Sequence, residues 1–208
     1  MSDAKNSGAK TGFNQQLRNL KPWQQQVFAL VLAQRSAPNY VLFCEALSWG
    51  DPSAFKQLLA LLWEHWLAPE SKINWVVQQE KLPLMAPEPG DFDVYGVYPA
   101  LDAVMALELA VEGLIEVDAE LAVRASRLSR SSVQAYLLES LAAEPETFSP
   151  PVGWVKQQPL MQDEQDFQDA VLEMLEQADR PRPALLQALK QLAHNQGVSN
   201  LGICLADD

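Results

Sequence analysis

The stretch Pro99-Ala-Leu-Asp-Ala-Val-Met-Ala-Leu-Glu-Leu-Ala-Val-Glu-Gly-Leu-Ile115 decides the class of the fold. From Ala100 to Ile115 only Asp102, Glu108, Glu112 and Gly113 depart from apolar residues. The run is too long and too little alternating for a strand. A helix that is apolar nearly all round must be enclosed by other elements. Proline lacks a backbone donor but suits the first turn of a helix, so Pro99 marks the start. The stretch predicts a central helix around which the rest of the chain packs.

Working outward, the 14 prolines divide the chain into blocks whose apolar spacing is helical. Upstream, Pro22 opens Trp23 to Arg35, where Trp23, Val27, Leu30 and Val31 share a face. Pro38 then reads as a break before a further helix, Asn39 to Leu47. Asp51-Pro52 is the clearest start signal, an N-cap followed by proline at the first helical position. Phe55, Leu58, Leu59, Leu62 and Trp66 continue it as a buried stripe. A short helix is expected from about Ile73 to Lys81. Residues 83–98 carry Pro83, Pro87, Pro89, Gly90 and Gly96 and predict a loop. Downstream, Glu116-Val-Asp118 offers a stop and an N-cap for a second helix through about Leu141. The segment from Pro145 to Pro159 reads as another loop. Helices follow over Gln162 to Ala178 and Pro183 to His194, Gly197 ends the last one, and Val198 to Leu205 forms an extended tail on the bundle. Strand signals are nearly absent and no repeat of fixed period occurs. The expected fold is all-α, a single-domain multi-helix bundle of about eight or nine helices with an extended C-terminal tail over residues 13–208, after a polar, disordered leader at 1–12.

Composition narrows the function classes. With 208 residues, 48% of them apolar, the chain can bury roughly 70% of its unfolded surface and needs no disulfide or metal staple. Fifteen Lys and Arg against 27 Asp and Glu leave a net charge of -12, which disfavours nucleic acid and anionic membranes as partners. The start of the chain lacks the apolar core of a secretory signal, and no window of about 18 uncharged apolar residues occurs. Cys44 and Cys204 lie inside apolar runs without metal-ligand spacing and read as reduced thiols, so the expected location is cytoplasmic. The charge is uneven. Residues 1–35 hold five basic groups and one acid, whereas Leu82 to Val123 contains nine carboxylates and no Lys or Arg.

That stretch contains the best candidate site, in which Asp91, Asp93, Tyr95, Tyr98 and Asp102 crowd around Gly96. Carboxylates two residues apart can hold a hard divalent cation, and one with a raised pKa can move a proton. The structural alternative has Asp91 and Asp93 closing turns and Asp102 favoured by the helix dipole. Asp102 stands out because Met105, Ala106 and Leu109 would partly desolvate it. It then needs a distant Arg or a tyrosine hydroxyl as partner, or it is a site.

Other features read as structural. Glu64 and His65 are sequence neighbours and cannot share a helix face, so His65 is a border histidine, and His194 belongs to the last turn of its helix. Arg124, Arg127 and Arg130, interleaved with serines, could cradle a phosphate or an acidic partner. The reading preferred for them is intramolecular charge balance, beginning with Glu120 four residues before Arg124. No phosphate loop and no nucleophile elbow is present, and Cys44 beside Glu45 is a poor nucleophile. The sequence points to no cofactor and no resident metal.

The long motif from Asp91 to Ala103, together with Trp23-Gln24, Pro38-Asn39-Tyr40 with Phe43-Cys44, and Ser199-Asn-Leu-Gly-Ile203, resembles the YjaG family of small bacterial cytoplasmic proteins with a domain of unknown function. The resemblance spans roughly Leu17 to Ile203, and the polar leader and the Pro145 to Pro159 segment depart from it. It implies an all-α fold and no established activity. The functional expectation is a non-enzymatic cytoplasmic interaction module whose acidic surface meets a basic protein partner. The alternative is an enzyme, or a binder of a small ligand or divalent cation, using residues 91–102.

Overall fold

In the computed structural model, residues 11–68, 70, 72–143 and 149–205 are described; most of the leader expected at 1–12 and part of the loop expected at 145–159 lie outside them. In chain order the α-helices are α1 (Phe13–Asn19), α2 (Pro22–Leu47), α3 (Pro52–Leu67), α4 (Trp75–Gln79), α5 (Val97–Ile115), α6 (Leu121–Ser140), α7 (Trp154–Gln157), α8 (Pro159–Glu176) and α9 (Pro183–His194). Among the described residues there is no strand, and the fold is all-α as expected. The predicted central helix is α5, with Pro99 in its first turn, and α2 packs along it more extensively than any other pair of helices.

One sequence expectation is corrected along α2. Pro38 does not break the chain, because one helix of 26 residues runs from Pro22 to Leu47. A proline inside a helix costs about 3 kcal/mol, and burial of both flanking halves, through Leu30, Val31, Leu32, Tyr40 and Phe43, offsets it. α2 is also long and apolar enough to cross a bilayer by composition, but 89% of its most apolar window is buried inside the protein. Composition alone therefore misreads a core helix of this bundle.

Gly113 lets α2, α5 and α6 meet. A Cβ at this position would collide with Leu121 of α6 and press on Gln26 of α2, whose amide donates a hydrogen bond to the Gly113 carbonyl. Helix starts follow local chemistry where the sequence signal is strong. Asp51 accepts a hydrogen bond from the Ala54 N–H at 2.9 Å, the N-cap expected for α3. Asp118 is not the N-cap expected for α6 but stands two residues before it, where it holds the turn by accepting from the Glu120 N–H at 2.8 Å. The predicted Glu120–Arg124 pair is not formed. Glu120 sits at the N-cap, ahead of the helix proper, and pairs instead with Arg18 at 2.5 Å. Arg124 reaches Glu112 at 2.7 Å and Asp118 at 2.9 Å.

The 83–98 region is a loop carrying two short 3-10 turns, and α1 and α7 are short helices the apolar spacing did not reveal. After α9, left-handed backbone at Asn195 and Gln196 turns the chain (φ 44 and 54), before Gly197. The tail packs on the bundle and folds back on itself, the Ser199 N–H donating to the Ile203 carbonyl at 2.8 Å, which drives Ser199, Asn200 and Leu201 into the interior.

Candidate functional site

Alternation along the loop explains what its residues do. Phe92 turns inward and packs edge-to-face on Phe43 and Trp49, with ring centroids 5.0 and 5.5 Å away, pinning the loop to α2. Its neighbours Asp91 and Asp93 consequently face solvent. Tyr95 turns back toward the protein, 5.8 Å from the Tyr98 ring and 6.2 Å from that of Tyr136 on α6. Tyr98 itself is 52% exposed.

Of the five candidate residues, Tyr95, Tyr98 and Asp102 come together, whereas Asp91 and Asp93 stand apart from them. Burial, with Asp102 and Glu139 nearby, pushes the Tyr95 phenol up to about 12, so it stays protonated and able to donate. Burial also pushes the Asp102 carboxyl up, and the nearby Ser132 hydroxyl, itself buried and in no hydrogen bond, acts against that shift. Sequence reasoning required an Arg or a tyrosine hydroxyl for Asp102; among the described residues neither bonds to it, and the group beside it is a neutral hydroxyl on α6. Among the described residues no three His, Cys, Asp or Glu side chains are grouped to hold a metal ion.

Behind Tyr95 lies a pocket of about 280 Å³ with almost wholly apolar walls, formed by Asn39, Phe43, Tyr95, Pro99, Tyr136 and Leu201. Leu42, Leu47 and Val94 lie exposed at its edge. Asp102 is not part of its wall. Asn39 contributes to the wall, but its side-chain carbonyl oxygen is closed off from water and has no hydrogen-bond partner. The other end of that amide donates to Asn200 Oδ1 at 2.9 Å, and Asn200 Nδ2 donates to Ser129 Oγ at 3.2 Å.

This chain of amides leads to a buried charge that the sequence reading did not single out. Glu164 on α8 has no solvent exposure and accepts from Ser129 Oγ and Gln168 Nε2, both at 2.6 Å, and from Arg35 Nε at 3.2 Å. The Arg35 guanidinium lies 4.0 Å from the Phe167 ring centroid, and Ser126 donates to Gln168 at 2.7 Å. Burial pushes the Glu164 carboxyl up, and the Ser129, Gln168 and Arg35 donors act against it. A signal was present in the sequence. Glu164 stands three residues before Phe167 and seven before Val171, on the apolar stripe of its own helix.

Other titratable groups are tuned away from reactivity. Tyr40 stacks on Phe55 at 4.6 Å, and burial pushes both its hydroxyl and the Cys44 thiol up. Gly50, with φ 71, lets the chain pass close over these two side chains. His65 lies edge-on to Trp66 and Trp75, and burial lowers its pKa. Of the three arginines expected to balance carboxylates, only Arg124 forms ion pairs among the described residues, while Arg127 acts on Glu120, and Glu164 and Asp169 on Arg130, by longer-range attraction. Arg130 instead donates to Asn14 Oδ1 at 3.3 Å, and no ion pair is formed by Arg127.

A family model described as "Protein of unknown function (DUF416)" matches residues 12–204. The chain belongs to the DUF416 family. Relatives agree with the match. The "Uncharacterized protein YjaG" of Escherichia coli K12 is 34% identical over 188 residues, covering 90% of this chain and 93% of that protein. An "Uncharacterized protein" of Haemophilus influenzae is 33% identical over 192 residues, with 91% and 95% covered. A crystal structure of a DUF416 family protein from Shewanella baltica OS155 shares the fold with a TM-score of 0.85 at 36% identity, covering 94% of this chain and all of that one. Three of the four segments on which the resemblance was read, 38–44, 91–103 and 199–203, contribute to the pocket behind Tyr95 in this DUF416 chain.

Proposed function

We propose that the chain is a non-enzymatic cytoplasmic interaction module that receives an apolar side chain of a basic protein partner in the pocket behind Tyr95. The observation that carries this reading is the pocket itself, with apolar walls and exposed apolar residues at its edge. An aliphatic or aromatic anchor gains from leaving water there. Charge supports the sign of the partner, because Leu82 to Val123 carries nine carboxylates and no Lys or Arg. A binding role rather than a catalytic one is supported by the neighbouring groups, since the Tyr95 phenol and the Cys44 thiol are both held in their neutral forms at neutral pH.

The test is fluorescence anisotropy with short labelled peptides that carry one Trp, Leu or Ala between lysines or between glutamates. Lysine-flanked Trp and Leu peptides should bind best and weaken as salt is raised. Ala46 lines the pocket and is exposed, so Ala46→Phe should plug the site without unfolding the protein and weaken binding about tenfold. Equal binding of both peptide charges, or no effect of Ala46→Phe, would overturn the reading.

A further inference from the structure

A second cavity, of about 450 Å³, lies on the side of α6 that carries Arg127 and Arg130, and where the pocket behind Tyr95 is uncharged this one is cationic. Its wall brings together Arg127 and Arg130 of α6 and Lys156 of α7, and among the described residues no Asp or Glu lines it. None of these three cations forms an ion pair among the described residues, although carboxylates outnumber basic groups 27 to 15 in the chain. Elsewhere the protein does match its cations, at Arg18, Arg35 and Arg124. Placing Arg127 and Arg130 three residues apart on one helix sets like charges side by side, which is unfavourable unless an anion joins them.

Arg130 is also held in place. It donates to the Ser126 carbonyl at 3.4 Å and to Asn14 at 3.3 Å, and its guanidinium lies 5.4 Å from the Phe13 ring centroid. Two of its five N–H donors are engaged in this way, and the others are uncommitted. Burial and the neighbouring Arg127 lower the Arg130 pKa, with Glu164 and Asp169 acting in the other direction from a distance. Ser131 and Gln134 add neutral donors to the wall, and Trp154 and Leu138 supply an apolar surface beside them.

We infer that this cavity binds an organic phosphate, with the phosphoryl group among Arg127, Arg130 and Lys156 and an apolar, flat body against Trp154 and Leu138. Guanidinium forks match phosphoryl oxygens in pairs and an ammonium adds a mobile point charge, which is why this set suits phosphate. The mixed polar and apolar wall is that of a small-molecule site rather than of a purely electrostatic patch. The inference is independent of the pocket behind Tyr95.

Isothermal titration calorimetry on the full chain tests it with phenyl phosphate, inorganic phosphate and phenol as probes. Phenyl phosphate should bind about tenfold more tightly than inorganic phosphate, and phenol should bind neither measurably nor competitively. Arg127 and Lys156 are both exposed, so the double variant Arg127→Gln/Lys156→Gln should keep the far-ultraviolet circular dichroism of the parent. It should lose at least about tenfold in affinity for phenyl phosphate. The inference is overturned if the parent binds neither phosphate, if inorganic phosphate binds as tightly as phenyl phosphate, or if the folded double variant binds as well as the parent.

Discussion

Asp91 and Asp93 stand in solvent on a loop held down by Phe92, whereas Glu164 lies wholly buried among α2, α6 and α8. Water carries the charge of the first pair. The second must be matched by the protein, and it is, by a guanidinium, a hydroxyl and a primary amide arriving from three different helices. The conspicuous acidic motif is therefore held in place by its aromatic members. The less conspicuous glutamate ties α2, α6 and α8 into one arrangement, because removing water from a carboxylate costs several kcal/mol unless every partner is in position. Asp102 is intermediate, half-buried with a single neutral hydroxyl beside it.

Substitutions can break or sharpen this contrast. The largest effect is expected for Glu164→Ala, which strands the Arg35 guanidinium in the core and should cost about 3–5 kcal/mol in urea unfolding. The double replacement Arg35→Met/Glu164→Leu should recover most of that loss, since it removes both charges and keeps the volume. A loss for Glu164→Ala below about 1 kcal/mol would mean that the pair is not the tie described here. Asn200→Ala comes next, because it leaves the Asn39 amide with no partner at either end, and about 1–3 kcal/mol should be lost in the same assay.

Asp102→Asn should move stability the other way. A carboxyl whose folded-state pKa lies above its unfolded value binds protons more readily when folded. Its contribution is fully present below the unfolded pKa and disappears as pH rises through the folded one. The Asn variant should therefore melt at a higher temperature than the parent at neutral pH, and the gain should vanish below the ordinary carboxylate range. Thermal melts across acidic to neutral pH measure this, and a pH-independent difference would contradict it. The smallest effect belongs to Asp91→Asn and Asp93→Asn, each within about 0.5 kcal/mol of the parent, and a larger loss would show that the loop depends on these acids.

Much of the helical framework could be read from short-range chemistry. Asp51-Pro52 and Pro183 announce their helices because a cap and a proline act within one turn, and the long apolar run after Pro99 is a core helix wherever it occurs. Pro38 misleads for the same reason, since its local penalty is real but the burial that outweighs it comes from other helices. Asp102 was recognisable as half-buried from its own neighbours, while the Ser132 hydroxyl beside it belongs to the next helix. Glu164 sat on a visible apolar stripe, yet a glutamate among apolar residues gives no sign of whether Arg35, Ser129 and Gln168 will converge on it. The pocket behind Tyr95 was legible only in pieces, as segments 38–44, 91–103 and 199–203 that the fold brings to one place. Arg127 and Arg130 resembled Arg124 in sequence, and only their surroundings separate them from it.

The distances along the chain spanned by the buried polar contacts bear on how the protein is made. Arg35 waits for Glu164, 129 residues later, and Asn39 for Asn200, 161 residues later. Synthesis proceeds at about 5–20 residues per second, so α2 leaves the ribosome many seconds before either partner exists. Within that interval α3 and α5 emerge and can cover its apolar faces, but its guanidinium has no carboxylate to meet. A nascent chain interrupted before the last turn of the tail would lack the amide that completes the Asn39 contact, and it should be a preferred client for chaperones and proteases.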